Sequence, residues 1–101
     1  MRVNKSWGYE NIIHNDEQYC MKILHFNPNT SGSMHYHQLK QETWYIASGS
    51  IRLQLWDALI EMQIGDTVTL LPGDEHQVFT NEGAEIFECS TIHLDTDTYR
   101  I

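Results

Sequence analysis

Basic residues are scarce in this sequence: six Lys and Arg stand against fourteen Asp and Glu, a formal charge of −8. A nucleic-acid-binding surface gains affinity by neutralising phosphates with clustered cations. No such cluster occurs, so nucleic acid is not an expected partner. Adhesion to an anionic membrane is disfavoured for the same reason. No apolar run approaches the length of a membrane span, and the opening Met1-Arg2-Val3-Asn4-Lys5-Ser6-Trp7 has the character of neither a signal peptide nor an anchor. Cysteine is equally sparse. Cys20 and Cys89 read as reduced strand residues of a cytoplasmic protein, a disulfide between them being the lesser alternative. The acidic balance leaves room for a small anionic ligand, because one metal ion and one arginine can hold a phosphate.

Sustained helical periodicity is also missing, and period-two alternation broken by turn residues takes its place. Tyr19 to Phe26 reads as one strand, stopped by Asn27-Pro28-Asn29. Ser33 to His37 and Thr43 to Ala47 follow, the latter ending at a predicted turn, Ser48-Gly49-Ser50. Ile51, Leu53 and Leu55 alternate with Arg52 and Gln54 as a half-buried strand. Trp56-Asp57-Ala58 marks a reversal, and Leu59 to Ile64 runs back to Gly65-Asp66. Thr67 to Leu71 is closed by Pro72-Gly73-Asp74, and His76 to Phe79 and Glu85 to Ile92 complete the set. Eight or nine short strands in 101 residues predict a single all-β domain, a sandwich or a closed barrel without exposed edges.

The stretch that carries chemistry is Gly32-Ser33-Met34-His35-Tyr36-His37-Gln38-Leu39-Lys40-Gln41-Glu42. On a strand, residues two apart share a face, so His35 and His37 present their imidazoles side by side, about 7 Å apart along the backbone. Both can lean onto one ion. Glu42 opens the next strand, where it can bring a carboxylate to the same point. His76, directly after the Pro-Gly turn, would supply a third imidazole. Three neutral nitrogens and one carboxylate suit one divalent transition metal (Mn, Fe, Ni, Cu or Zn) better than Ca or Mg. Six-coordinate, such an ion would keep two positions for water or substrate.

This pattern resembles the cupin superfamily. The first cupin motif is matched by His35, His37, Glu42 and Gly49, with Asn29 where the motif's leading glycine belongs. Asn tolerates the left-handed backbone required there. The second motif is matched by Gly65, Gly73 and His76. It departs at Leu71, where a proline is usual, and at Asn81, one residue late. The resemblance implies a double-stranded β-helix (jelly-roll) barrel with its core over 19–92, residues 1–18 forming an N-terminal strand or arm. It implies the metal ligands His35, His37, Glu42 and His76, and by analogy a homodimer.

A narrower resemblance lies at the ends and in the middle of the chain. Lys5-Ser6-Trp7-Gly8-Tyr9-Glu10, Glu42-Thr43-Trp44-Tyr45 and Glu88-Cys89-Ser90-Thr91-Ile92-His93-Leu94-Asp95 look like the small mannose-6-phosphate isomerase-like cupins, with Ile92 in place of that group's proline. This implies a sugar or sugar phosphate as the small-molecule partner, isomerised by a metal that polarises its oxygens and a base that moves a proton. A non-catalytic sugar-binding or regulatory module and an iron-dependent dioxygenase are the alternatives. Trp7, Gly8 and Tyr9 read as an aromatic plug at a barrel mouth or as substrate contacts. Of Trp44 and Tyr45 only one can face inward, and core packing is its expected role. Arg52 reads as a phosphate holder or part of a solvated strand face. His25 and His93 read as proton carriers or as ordinary half-exposed histidines.

Overall fold

The computed structural model describes residues 1–101. Its strands are β1 (Arg2–Lys5), β2 (Gly8–Asn15), β3 (Cys20–Phe26), β4 (Thr30–Ser31), β5 (His35–His37), β6 (Glu42–Leu55), β7 (Leu59–Gln63), β8 (Thr67–Leu70), β9 (His76–Thr80), β10 (Ala84–Ser90) and β11 (Thr98–Arg100). One 3-10 turn, Asp95–Asp97, precedes β11, and there is no α-helix. Antiparallel pairing gives two sheets, β1-β2-β3-β10-β6-β8 and β7-β6-β9-β5-β11, with β4 on β9. β6 belongs to both, and the sheets curl into a jelly-roll barrel.

Alternation decides which side chains enter the barrel. In β3 the inward set is Cys20, Lys22, Leu24 and Phe26, and in β10 it is Ala84, Ile86, Glu88 and Ser90. Leu24, Phe26, Ile46, Ile51, Leu53, Met62, Val78 and Ile86 form the centre of the apolar core, with Trp7, Leu55 and Val68 packed against it. Full burial of each such aliphatic side chain contributes about 1.5–3 kcal/mol. Most expected strands are present within a residue or two, and Asn29 takes the left-handed conformation its motif position calls for, at φ 58°. Residues 1–15 form the hairpin β1–β2, which extends the first sheet beside β3.

The turn expected at Ser48-Gly49-Ser50 is a correction. β6 runs unbroken through it for 14 residues. Ser48 pairs with Glu85 and Ile46 with Ile86, so Ala47 is an extra residue, a β-bulge. A bulge reverses the side-chain phase. Before it the even residues Glu42, Trp44 and Ile46 point inward; after it the odd residues Ile51 and Leu53 do. Gly49 follows at φ 72°, where a Cβ would lie 1.9 Å from the Gly83 carbonyl oxygen, so no other residue fits without moving the backbone. The bend carries β6 from one sheet into the other and turns Arg52 outward.

The cysteines fall on opposite faces of adjacent strands. Cys20 is buried on β3, Cys89 is exposed on β10, and both are free thiols. A disulfide between them is ruled out by that placement.

Candidate metal centre

His35 and His76 are directly opposed on β5 and β9, and His37 lies two residues along on the same face as His35. The Pro72-Gly73 turn locks this arrangement, for the Gly73 N–H donates to the His37 carbonyl at 2.6 Å. Nitrogens of His35, His37 and His76 lie within 4.8 Å of one another. Each ring also makes one hydrogen bond that determines its tautomer. Nδ1–H donates to a backbone carbonyl in all three: His35 to Ser33 at 2.9 Å, His37 to Asp97 at 3.0 Å, His76 to Asp74 at 2.9 Å. A carbonyl only accepts, so the proton sits on Nδ1 and the Nε2 lone pair is free. The buried His76 Nε2 has no protein partner. An orphaned nitrogen of that kind calls for an unseen partner, and the donor set fits a transition metal.

Glu42 stands beside this triad, its Oε2 3.5 Å from His37 Nε2. Its other oxygen accepts from Trp44 Nε1 at 2.6 Å. Trp44 is thus the inward member of its pair, part of the core and a tether for the carboxylate, while Tyr45 faces out. Burial, and then the charge of Glu88, raise the Glu42 carboxyl to about 8. The imidazoles shift the opposite way. Burial, reinforced by Lys40, holds His37 down at about 3, and burial with His35 holds His76 at about 4. His35 is lowered mainly by burial. All three are neutral at pH 7, as metal ligation requires.

His35 and His37 of the triad border a cavity of about 430 Å³ whose wall is rich in charged side chains. Lys40 Nζ lies 3.3 Å from Glu88, 3.7 Å from Glu42 and 3.2 Å from His93 Nδ1. Lys22 Nζ reaches Glu10 at 3.3 Å. Burial opposes the charges of Lys40 and Glu88, but Lys40 and Lys22 hold Glu88 below the usual carboxylate range, and Glu88 and Glu42 hold Lys40 above the usual lysine range. Because an ammonium only donates, His93 Nδ1 accepts from Lys40, and its Nε2–H donates to Asp95 at 3.1 Å. His93 therefore lines the cavity with both nitrogens engaged.

Asp97 is another residue that the sequence reading missed. Its buried carboxylate accepts the N–H groups of Gln38, Leu39 and Lys40, pinning the loop between His37 and Glu42. Other candidates lie elsewhere. Arg52 sits on the outer face beside Phe79, away from the histidines. His25 is outside as well, paired with Glu85 and stacked on Tyr9, which in turn lies under Arg2. Trp7 stacks on Phe26 at 4.0 Å and borders the cavity.

A family model described as "Cupin domain" matches residues 22–94. The fold is similar to that of KdgF from Halomonas sp., with a TM-score of 0.85 and 13% identity over 95% of this chain and 91% of that one. An RmlC-like cupin from Shewanella frigidimarina NCIMB 400 gives a TM-score of 0.85 and 12% identity over 95% and 86%. Oxalate decarboxylase from Bacillus subtilis gives 0.88 and 18% over all of this chain but only 30% of that enzyme. Mn(II) centres are described for that decarboxylase. No curated protein matches the sequence.

Proposed function

The chain belongs to the cupin domain family, and on that premise we propose that it holds one divalent transition metal on His35, His37 and His76. Glu42 is the fourth donor, and a small sugar or sugar phosphate binds in the cavity beside the ion. The observation that carries this reading is the common tautomer: three Nδ1–H bonds to backbone carbonyls leave three Nε2 lone pairs for one point. Mn, Fe, Ni and Zn all suit that donor set. When bound, the ion supplies Lewis-acid polarisation of a ligand oxygen. The chain's own residues orient and shield: Trp44 aims Glu42, Asp97 fixes the intervening loop, and Trp7 against Phe26 walls off one side of the cavity.

The ends of the chain, Lys5 to Glu10 and Glu88 to Asp95, support the mannose-6-phosphate isomerase-like reading by resemblance, hence aldose–ketose isomerisation. A non-catalytic sugar-binding module is the second reading, favoured by one feature: Glu88, Lys22, Lys40 and His93 are all engaged with protein partners, leaving no free base among them. The charged cavity wall counts against an oxygenase acting on an apolar substrate. Two free thiols fit a cytoplasmic protein. The outer face bearing Met21, Tyr45 and Phe87 is the natural place for the expected homodimer to pair.

Titration of the metal-free chain with Mn(II), Ni(II) and Zn(II), followed by elemental analysis, should give one ion per chain, and a chain that takes none refutes the proposal. Conversion of mannose 6-phosphate to fructose 6-phosphate by the loaded protein supports the isomerase. Saturable binding without conversion supports the module.

A further inference from the structure

The chain has six cationic side chains, and four of them, Lys5, Lys22, Lys40 and Arg100, line the cavity that His35 and His37 border. Four of its fourteen carboxylates, Glu10, Glu42, Glu88 and Asp95, line it too. The cavity wall is therefore neutral in formal charge, and the whole −8 belongs to the remainder of the molecule. A chance distribution of so few cations would not gather most of them at one hollow. A field of this shape, negative outside and neutral within, disfavours anions at the general surface and admits them at one place.

The four cations are not equivalent. Lys22 and Lys40 are buried and tied to Glu10 and Glu88. Lys5 and Arg100 are exposed at the rim, and neither makes an ion pair. Arg100 is placed with care. It stands directly opposite His35 in the β11–β5 ladder, and its Nε donates to Ser33 Oγ at 3.3 Å, the residue whose carbonyl orients the His35 ring. Asp97 anchors the segment that carries it. The outer nitrogens of its guanidinium make no hydrogen bond to the protein, and a planar fork of that kind matches two oxygens of one anion.

We propose that Arg100, assisted by Lys5, forms an oxyanion-binding subsite at the cavity rim, so that the ligand is a small molecule with a phosphate or carboxylate at one end and oxygen donors toward the histidine triad at the other. This rests on the reading of the triad as the ligand-binding centre. It replaces Arg52, which the sequence offered for the same task, by a residue near the chain's end.

The test is calorimetric titration of the full chain with inorganic phosphate and with malonate, each with and without one equivalent of Mn(II). Both probes should bind, and the tighter one names the terminal group. Arg100→Gln should weaken the tighter probe about tenfold or more, and Lys5→Gln by less. Arg100→Lys should recover part of the loss, and Arg52→Gln should change nothing. Equal affinity in the parent and Arg100→Gln overturns the proposal, as does an equal loss in Arg52→Gln, which would report net charge alone. So does a parent that binds neither probe. If the chain takes up no Mn(II) yet its anion affinity still depends on Arg100, the metal reading fails and the rim site stands. If Mn(II) binds and anion affinity ignores Arg100, only the rim site fails.

Discussion

Ile86 and Glu88 stand two residues apart on one strand and face the same barrel interior, yet their surroundings have nothing in common. Ile86 belongs to the apolar core with Leu24, Ile46 and Leu53. Glu88 is equally buried, but among Lys40, Lys22 and Ser90. At the apolar end each aliphatic chain removed from water stabilises the fold by about 1.5–3 kcal/mol. At the polar end the desolvation of each buried ion costs several kcal/mol, which mutual attraction offsets at best. The Glu88–Lys40 pair therefore does not hold the barrel shut. One end of the interior supplies the stability, and the other spends some of it to keep fixed charges next to three neutral imidazoles.

If the ends are divided in this way, damage to each should be read by a different instrument. The largest effect is expected at the polar end, on metal binding. His76→Ala removes the orphaned Nε2, and metal affinity should fall by more than the roughly 10–100-fold that losing a ligand's supporting hydrogen bond costs. Isothermal titration measures it, and an unchanged affinity would put the ion elsewhere. Glu88→Leu comes next. It removes the nearer of Lys40's two carboxylate partners, leaving Glu42 at 3.7 Å, and should destabilise the chain by up to about 3–5 kcal/mol, read from denaturant midpoints. Adding Lys40→Met should return most of that loss, since a buried pair replaced by packed apolar groups is about neutral or stabilising. If the double variant is as unstable as the single, the pair is a structural support and the comparison breaks. Ile86→Ala sharpens it from the other side: a loss of about 2–5 kcal/mol with metal affinity unaltered.

The same division explains what the sequence made legible. Apolar alternation is read easily, so β3, β8, β9 and β10 are present much as expected, and the His-x-His pair declares its shared face. Glu88, Lys22 and Lys40 escaped because a charged residue type suggests water. Their phase said otherwise, for Glu88 continues the inward series Ala84, Ile86. Phase also misled at Ser48-Gly49-Ser50. A break in alternation there has two physical causes, a reversal or a bulge, and local sequence does not separate them. The partner strand does, because Glu85 and Ile86 skip Ala47, and with that skip Arg52 leaves the interior. Asp97 and His93 depend on where the chain's last segment docks, a long-range event with no local signature. The cupin family is established, whereas the mannose-6-phosphate isomerase-like group rests on short sequence motifs.

The smallest effect concerns a carboxylate of neither end. Asp16 lies in the turn between β2 and β3, where the N–H groups of Tyr19 and Gln18, then His14, hold its carboxyl down at about 2. A depressed carboxyl stabilises the fold above its unfolded-state value, and that contribution is lost as pH falls through the folded value. Asp16→Asn should therefore lower stability slightly at neutral pH and flatten the acid limb between about pH 4 and pH 2. Being exposed, the residue is screened by water and salt, so the difference should shrink in high salt. Glu88, shielded from solvent, should lose far less of its effect under the same salt. Parallel acid titrations of the two variants at low and high ionic strength make the comparison, and equal salt sensitivity would mean that the polar end of the barrel is open to water.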